Sequence, residues 1–371
     1  MGASHQIKSL QALRFLAAVL VVVNHTEGAY NLAVSRLMPR YHLQPVRFYA
    51  DSAFGVQLFF VISGFVMAHV MWNRFGKVAS VRDFALNRVT RIVPLYWALI
   101  LLMIPIALVG VHTGSQSWVQ SFSWLNVAKS LFFIPYAAPI TPLSLLGWTL
   151  NFEMMFYVLM TGALIFPRRV ALPLLLIALA GASIVLTRLL ANVHYPIPIA
   201  YGLSEFGIGL IIAAVWNSGF RIPDFPGRLV LVILILIVDN LLFNRTLGSV
   251  WGLIFAGPVI ALAVLSSDIS GRGKLQRFVI AGGNASYSLY LIHGLVMEMM
   301  NLSGYALNSP HMPTLPAPLA TTLFAIMGLV TVVSSVAAAF LCYAGFERPV
   351  TAWLRGRQGR AWAKQTSPGG L

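Results

Sequence analysis

Arg14 and His25 stand eleven positions apart in residues 9–30, SLQALRFLAAVLVVVNHTEGAY, a stretch that is otherwise mostly apolar. On an α-helix eleven residues make three turns plus about 20°, with a rise of roughly 16 Å, so the two side chains share a face. Ionisable groups on a helix that crosses a bilayer face a protein interior, a cavity or a pathway. Taken singly, Arg14 also fits a snorkelling anchor at the membrane edge, and His25 a hydrogen-bonded packing residue. Together they put a proton acceptor and a fixed positive charge on one helix face. The imidazole titrates near neutral pH and can take up and hold a proton as a general base does, and the guanidinium stays charged.

Two further groups belong to the same reading. Glu153 lies early in an apolar run at 144–166, which is expected to run inward, whereas the first run goes outward. Counting depth from the ends puts Glu153 near His25, where a carboxylate fixes an imidazole's tautomer and holds its charge. The structural alternative for Glu153 is a hydrogen bond between helices. Arg88 and Arg91, three apart in RVTRIVPLYW, are neighbours on a helix face at the cytoplasmic start of a span. With Arg82 nearby they form an anion site matched to phosphate, although positive charge at such a position also follows from topology alone. His293, with Tyr287 and Tyr290 as neighbours, lines the same cavity or, as a lone mid-helix histidine, serves structure; we read it as structural. Glu205, Asp239 and Glu298 read as packing or cavity polar groups. The single cysteine, Cys342, excludes an intramolecular disulfide and a thiolate metal cluster. No metal site is expected.

The elements that must carry these residues are membrane helices. The chain is 58% hydrophobic and only 9% charged, with a mean hydropathy of +0.80, more apolar than a soluble core requires. The first run is expected to be a span rather than a cleaved signal: Arg14 interrupts it, and its exit, Asn24-His25-Thr26-Glu27, lacks a small-x-small site. At about 20 apolar residues per span, ten helices are expected, near 9–29, 53–73, 91–112, 144–166, 170–190, 197–216, 228–244, 247–266, 285–304 and 317–345. With both termini in the cytoplasm, 19 of the 25 Lys and Arg residues fall on the inner side, the bias that orients membrane proteins. That bias explains the net charge of +15; nothing in the sequence points to nucleic acid. Two longer outer loops are expected, 31–52 and 114–143, the second rich in aromatics suited to the headgroup level. Residues 1–349 read as one transmembrane domain and 350–371 as a basic cytoplasmic tail touching anionic lipid. There is no internal repeat.

Taken in order, the Arg14-x10-His25 pair, FGVQLFFVISGFVM at 54–67, RVTRIVPLYW, GWTLNFEMMFY at 147–157, NASYSLYLIH at 284–293 and Phe346-Glu347-Arg348-Pro349 resemble the membrane-bound acyltransferase-3 family. The nearest branch resembles the bacterial exopolysaccharide O-acetyltransferases. The resemblance implies an all-α polytopic membrane bundle of about ten helices in the bacterial cytoplasmic (inner) membrane. It implies transfer of an acyl group, commonly acetyl, from cytoplasmic acyl-coenzyme A to a hydroxyl of a polysaccharide or lipid-linked glycan, with polysaccharide biosynthesis or export proteins as partners. The family's arginine and histidine of the first helix map onto Arg14 and His25, its paired arginines onto Arg88 and Arg91, and its carboxylate onto Glu153. Acetyl, succinyl and longer acyl groups stay open, as do direct transfer and an acyl-enzyme on a residue such as His25. A secondary transporter is the rival reading, since intramembrane acids and bases also build solute paths.

Overall fold

The computed structural model describes residues 7–41, 52–112, 122–134, 146–190, 202–223, 231–232, 234–235, 238, 250–266, 273–307 and 316–366. The elements among them are helices: α1 (Lys8–Tyr41), α2 (Ser52–Met71), α3 (Val78–His112), α4 (Trp124–Leu131), α5 (Gly147–Ala163), α6 (Arg168–Leu190), α7 (Gly202–Asn217), α8 (Val250–Leu265), α9 (Lys274–Asn284), α10 (Ser286–Leu307), α11 (Ala317–Cys342) and α12 (Arg348–Thr366). A π-turn, Tyr343–Glu347, joins α11 to α12. Five stretches of the described residues are long and apolar enough to cross a membrane: Lys8–Leu32, Phe54–Met71, Val78–His112, Arg168–Leu186 and Ala317–Arg357. Gly202–Asn217 and Phe255–Leu265 are apolar but shorter. Most of the expected span at 228–244, including Asp239, and much of both expected outer loops lie outside the described residues.

The start of the third helix differs from expectation. Gly76 adopts φ +76° and its N–H donates to the Leu164 carbonyl at 2.9 Å, which turns the chain sharply after α2. Helix α3 then begins at Val78, well before position 91. It buries Ser80, Phe84 and Thr90 and leaves Arg82 and Asp83 exposed. The charge density that reads as a loop is therefore one face of an amphipathic helix. Within the expected aromatic loop, α4 is capped by Ser123, whose Oγ accepts from the Asn126 N–H at 3.1 Å. The Trp97 indole N–H ties α4 to α3 by donating to the Leu131 carbonyl at 2.9 Å.

Lipid supplies little hydrophobic drive between helices, so close packing of small residues sets the approach. Gly64 on α2 abuts the Phe206 carbonyl of α7, and Gly209 on α7 abuts the Val61 carbonyl and Phe65 nitrogen of α2; a Cβ at either position overlaps main chain. Across the bundle, Gly283 of α9 abuts the Gln11 carbonyl of α1. Helix α1 is thereby packed against α2, α9, α10 and α11. Ile177, Ile184, Leu329, Val330, Val333 and Leu341 stay exposed, as lipid-facing residues of α6 and α11 should. Gly209→Val is expected to destabilise the protein by about 1–3 kcal/mol or more through overpacking. A melting curve in detergent checks this, with Gly181→Val, where the added Cβ meets open space, expected to melt like wild type.

Candidate active site

Helices α1, α2, α3, α5 and α10 surround a cavity of about 230 Å³ whose polar wall includes Arg14, Arg88, Arg91, Glu153, Tyr157 and Ser286. Phe84, one turn before Arg88, is buried and turns that face of α3 inward. The Arg88 guanidinium lies 5.7 Å from the Phe84 ring centroid and 5.8 Å from that of Tyr157, a cation–π arrangement that keeps it extended. On α5 the Tyr157 hydroxyl donates to the Glu153 carboxylate one turn earlier, and Ser63 Oγ of α2 approaches the same oxygen at 3.4 Å. Arg14 lies within electrostatic reach of Arg91, Glu347 and Glu153. Glu347, buried in the π-turn, accepts from Ser288 Oγ at 2.6 Å. Helix α12 packs on α3 and brings Arg355 within reach of Arg88 and Arg91.

Two buried groups in this wall, Arg88 Nε and Ser286 Oγ, have no hydrogen-bond partner. Ser286 is fully buried at the first residue of α10. An unsatisfied buried polar group costs about 1–3 kcal/mol. With the guanidiniums of Arg14, Arg88 and Arg91 in the same wall, they suit an anionic ligand with acceptor oxygens.

Tyr290 closes one side of the cavity. Its hydroxyl shares a 2.7 Å hydrogen bond with Thr149 Oγ1 on α5, and its ring meets His293 edge-on, centroids 5.9 Å apart. His293 is fully buried, and its Nε2 lies 2.9 Å from Nδ1 of His25. The two imidazole planes are 15° apart. Ala18, Val22, Leu289 and Ala339 pack as a buried apolar cluster, of which Leu289 lends its carbonyl to His293. The Tyr290 ring thus stands between the cavity and the histidine pair.

The structure gathers Arg14, Arg88, Arg91 and Glu153 around one cavity and sets His25 beyond the Tyr290 wall. His25 is paired with His293 rather than with Glu153. The reason lies in where α5 begins. Leu146, the residue before it, is buried, and the Tyr290 hydroxyl lies 3.5 Å from its carbonyl. The first turn of α5 is therefore level with Tyr290, and Glu153, six residues on, lies about 9 Å nearer the opposite end. Depth counted from residue 144 assumes a start at the outer surface. Tyr157 was legible in principle, four residues after Glu153 and so on its face. Ser286 carried no comparable signal.

Residues 7–343 match the acyltransferase-3 family model, described as an acyltransferase domain. The chain is 32% identical over 330 residues to the exopolysaccharide production protein ExoZ of Rhizobium meliloti (strain 1021), an alignment that covers 83% of this chain and 91% of that protein. No solved structure matches it.

Proposed function

Because this chain belongs to the acyltransferase-3 family, we propose that it moves an acetyl group from acyl-coenzyme A to a hydroxyl of an exopolysaccharide or its lipid-linked precursor. The observation that carries this reading is the cavity itself: three arginines, one with its Nε unpaired, and the unpaired Ser286 hydroxyl, one tyrosine away from a histidine pair. At about 230 Å³ it is smaller than a typical whole-ligand pocket of roughly 300–1,000 Å³, so it takes one part of a long donor. Arg88, Arg91 and Arg14 meet its phosphates, and the pantetheine arm carries the thioester toward Tyr290. The His25 imidazole then removes the proton from the acceptor hydroxyl as its oxygen attacks the thioester carbonyl carbon. The C–O ester bond forms, the C–S bond breaks, and coenzyme A leaves as a thiolate that takes the proton back from His25. The name of the Rhizobium relative supports a polysaccharide acceptor, and the basic bias of the expected inner segments supports a cytoplasmic donor side in a bacterial inner membrane.

Full-length protein in detergent, given carbonyl-labelled acetyl-coenzyme A and polysaccharide from a strain lacking the protein, is expected to release coenzyme A and to place equal label on the polysaccharide as an alkali-labile ester. Release without transfer, or no consumption of the thioester at all, removes this reading; a transporter gives the second result.

A further inference from the structure

The Leu289 main-chain carbonyl lies 3.0 Å from Nδ1 of His293, and this contact decides the proton positions in both imidazoles. A carbonyl oxygen only accepts, so Nδ1 of His293 carries hydrogen, and in the neutral ring Nε2 keeps its lone pair. Nδ1 of His25 faces that lone pair at 2.9 Å and is therefore the N–H donor. Nε2 of His25 is left unprotonated. The ring geometry agrees: planes 15° apart with centroids 5.2 Å apart are those of two rings side by side, with the bond in their common plane. A face-to-face stack brings centroids closer and turns the nitrogens away from each other.

We propose that His293 is the positioning residue of the reaction. Anchored by Leu289, it holds His25 in the tautomer whose Nε2 is free, and it accepts the Nδ1–H both before and after Nε2 takes the proton. The proposal rests on His25 being the base. When the acceptor's proton arrives at Nε2, Nδ1–H stays in place, so no ring turns and the existing bond becomes charge-assisted. Hydrolytic triads give this task to a carboxylate. Here His293 meets the Tyr290 ring and the Leu289 carbonyl, and an ionised carboxylate inside a membrane is costly. A neutral imidazole locked by main chain supplies the acceptor without a buried charge, and Glu153 stays with Tyr157 and Ser63.

Two experiments test this. The first is nitrogen-15 NMR of histidine-labelled full-length protein in lipid. It is expected to show both His25 and His293 as Nδ1–H tautomers, assigned by comparison with single-histidine variants; His25 protonated at Nε2 in the resting protein overturns the proposal. The second is kinetics with the labelled acetyl-coenzyme A and deletion-strain polysaccharide. His293→Phe keeps ring bulk against Tyr290 but offers no acceptor, and is expected to lower kcat about 10- to 100-fold, the usual loss for an orienting partner, with the donor KM within twofold. His293→Gln restores an acceptor oxygen near the Nε2 position and is expected to recover most of that loss. Adding His293→Phe to His25→Ala is expected to lower turnover no further. Wild-type kcat in His293→Phe, or no rescue by Gln, overturns the proposal while an inactive His25→Ala leaves the base assignment standing. Turnover that survives in His25→Ala overturns the base assignment and this proposal with it.

Discussion

His25→Ala is expected to lower acyl transfer by about 10²- to 10⁴-fold, the contribution of a positioned acid or base, while donor binding stays close to wild type and stability falls by about 1–3 kcal/mol as the buried His293 Nε2 loses its partner. The separation follows from the geometry. His25 is not among the residues lining the cavity, so the variant leaves the anion site intact. It also leaves His293 with its Leu289 bond, although its Nε2 loses a donor. A histidine kept for packing predicts a similar fall in melting temperature but roughly normal turnover per folded molecule. Measuring transfer, donor affinity and melting on one preparation decides the matter, and near-wild-type turnover takes His25 out of the mechanism.

Replacing Arg88 and Arg91 together by alanine is expected to weaken acetyl-coenzyme A binding by roughly 10²-fold or more and to change acceptor affinity little. Each charge-assisted hydrogen bond to phosphate is worth about 1.5–3 kcal/mol, and 1.4 kcal/mol is tenfold. The two side chains share one cavity, so their losses do not add fully. Arg88 carries the larger share on structural grounds: its Nε is buried without a partner and two rings hold its guanidinium in place. Titration of the donor against purified double variant, with size-exclusion behaviour matching wild type, is the measurement. Unchanged affinity moves the donor site elsewhere and leaves these arginines as topology signals.

What could be read from the sequence was local. The eleven-residue spacing puts Arg14 and His25 on one face of a single helix, and the structure keeps them on α1. The three-residue spacing of Arg88 and Arg91 likewise follows from one helix, although the start of α3 did not, because its exposed charges disguise a face that buries Ser80, Phe84 and Thr90. Depth was harder. The level of Glu153 depends on Leu146 being tucked beneath Tyr290, a packing fact that no apolar run records. The histidine pair joins residues 268 positions apart, and nothing in the spacing of either helix points to the other. A lone histidine reads as structural until its partner is known.

That separation has a consequence for biogenesis. At a synthesis rate of roughly 5–20 residues per second, His293 leaves the ribosome roughly 13–54 s after His25. Helix α1 therefore waits in the membrane through most of translation with His25 lacking its His293 partner, and the α9 glycines that seat against Gln11 and Phe15 arrive at nearly the same late moment. A nascent chain arrested before α10 holds polar groups that must be sheltered by the insertion machinery or by its own earlier helices. Surveillance that detects such groups in lipid has its longest exposure to the first helix made, and variants of α9 and α10 should shorten the life of the protein through α1.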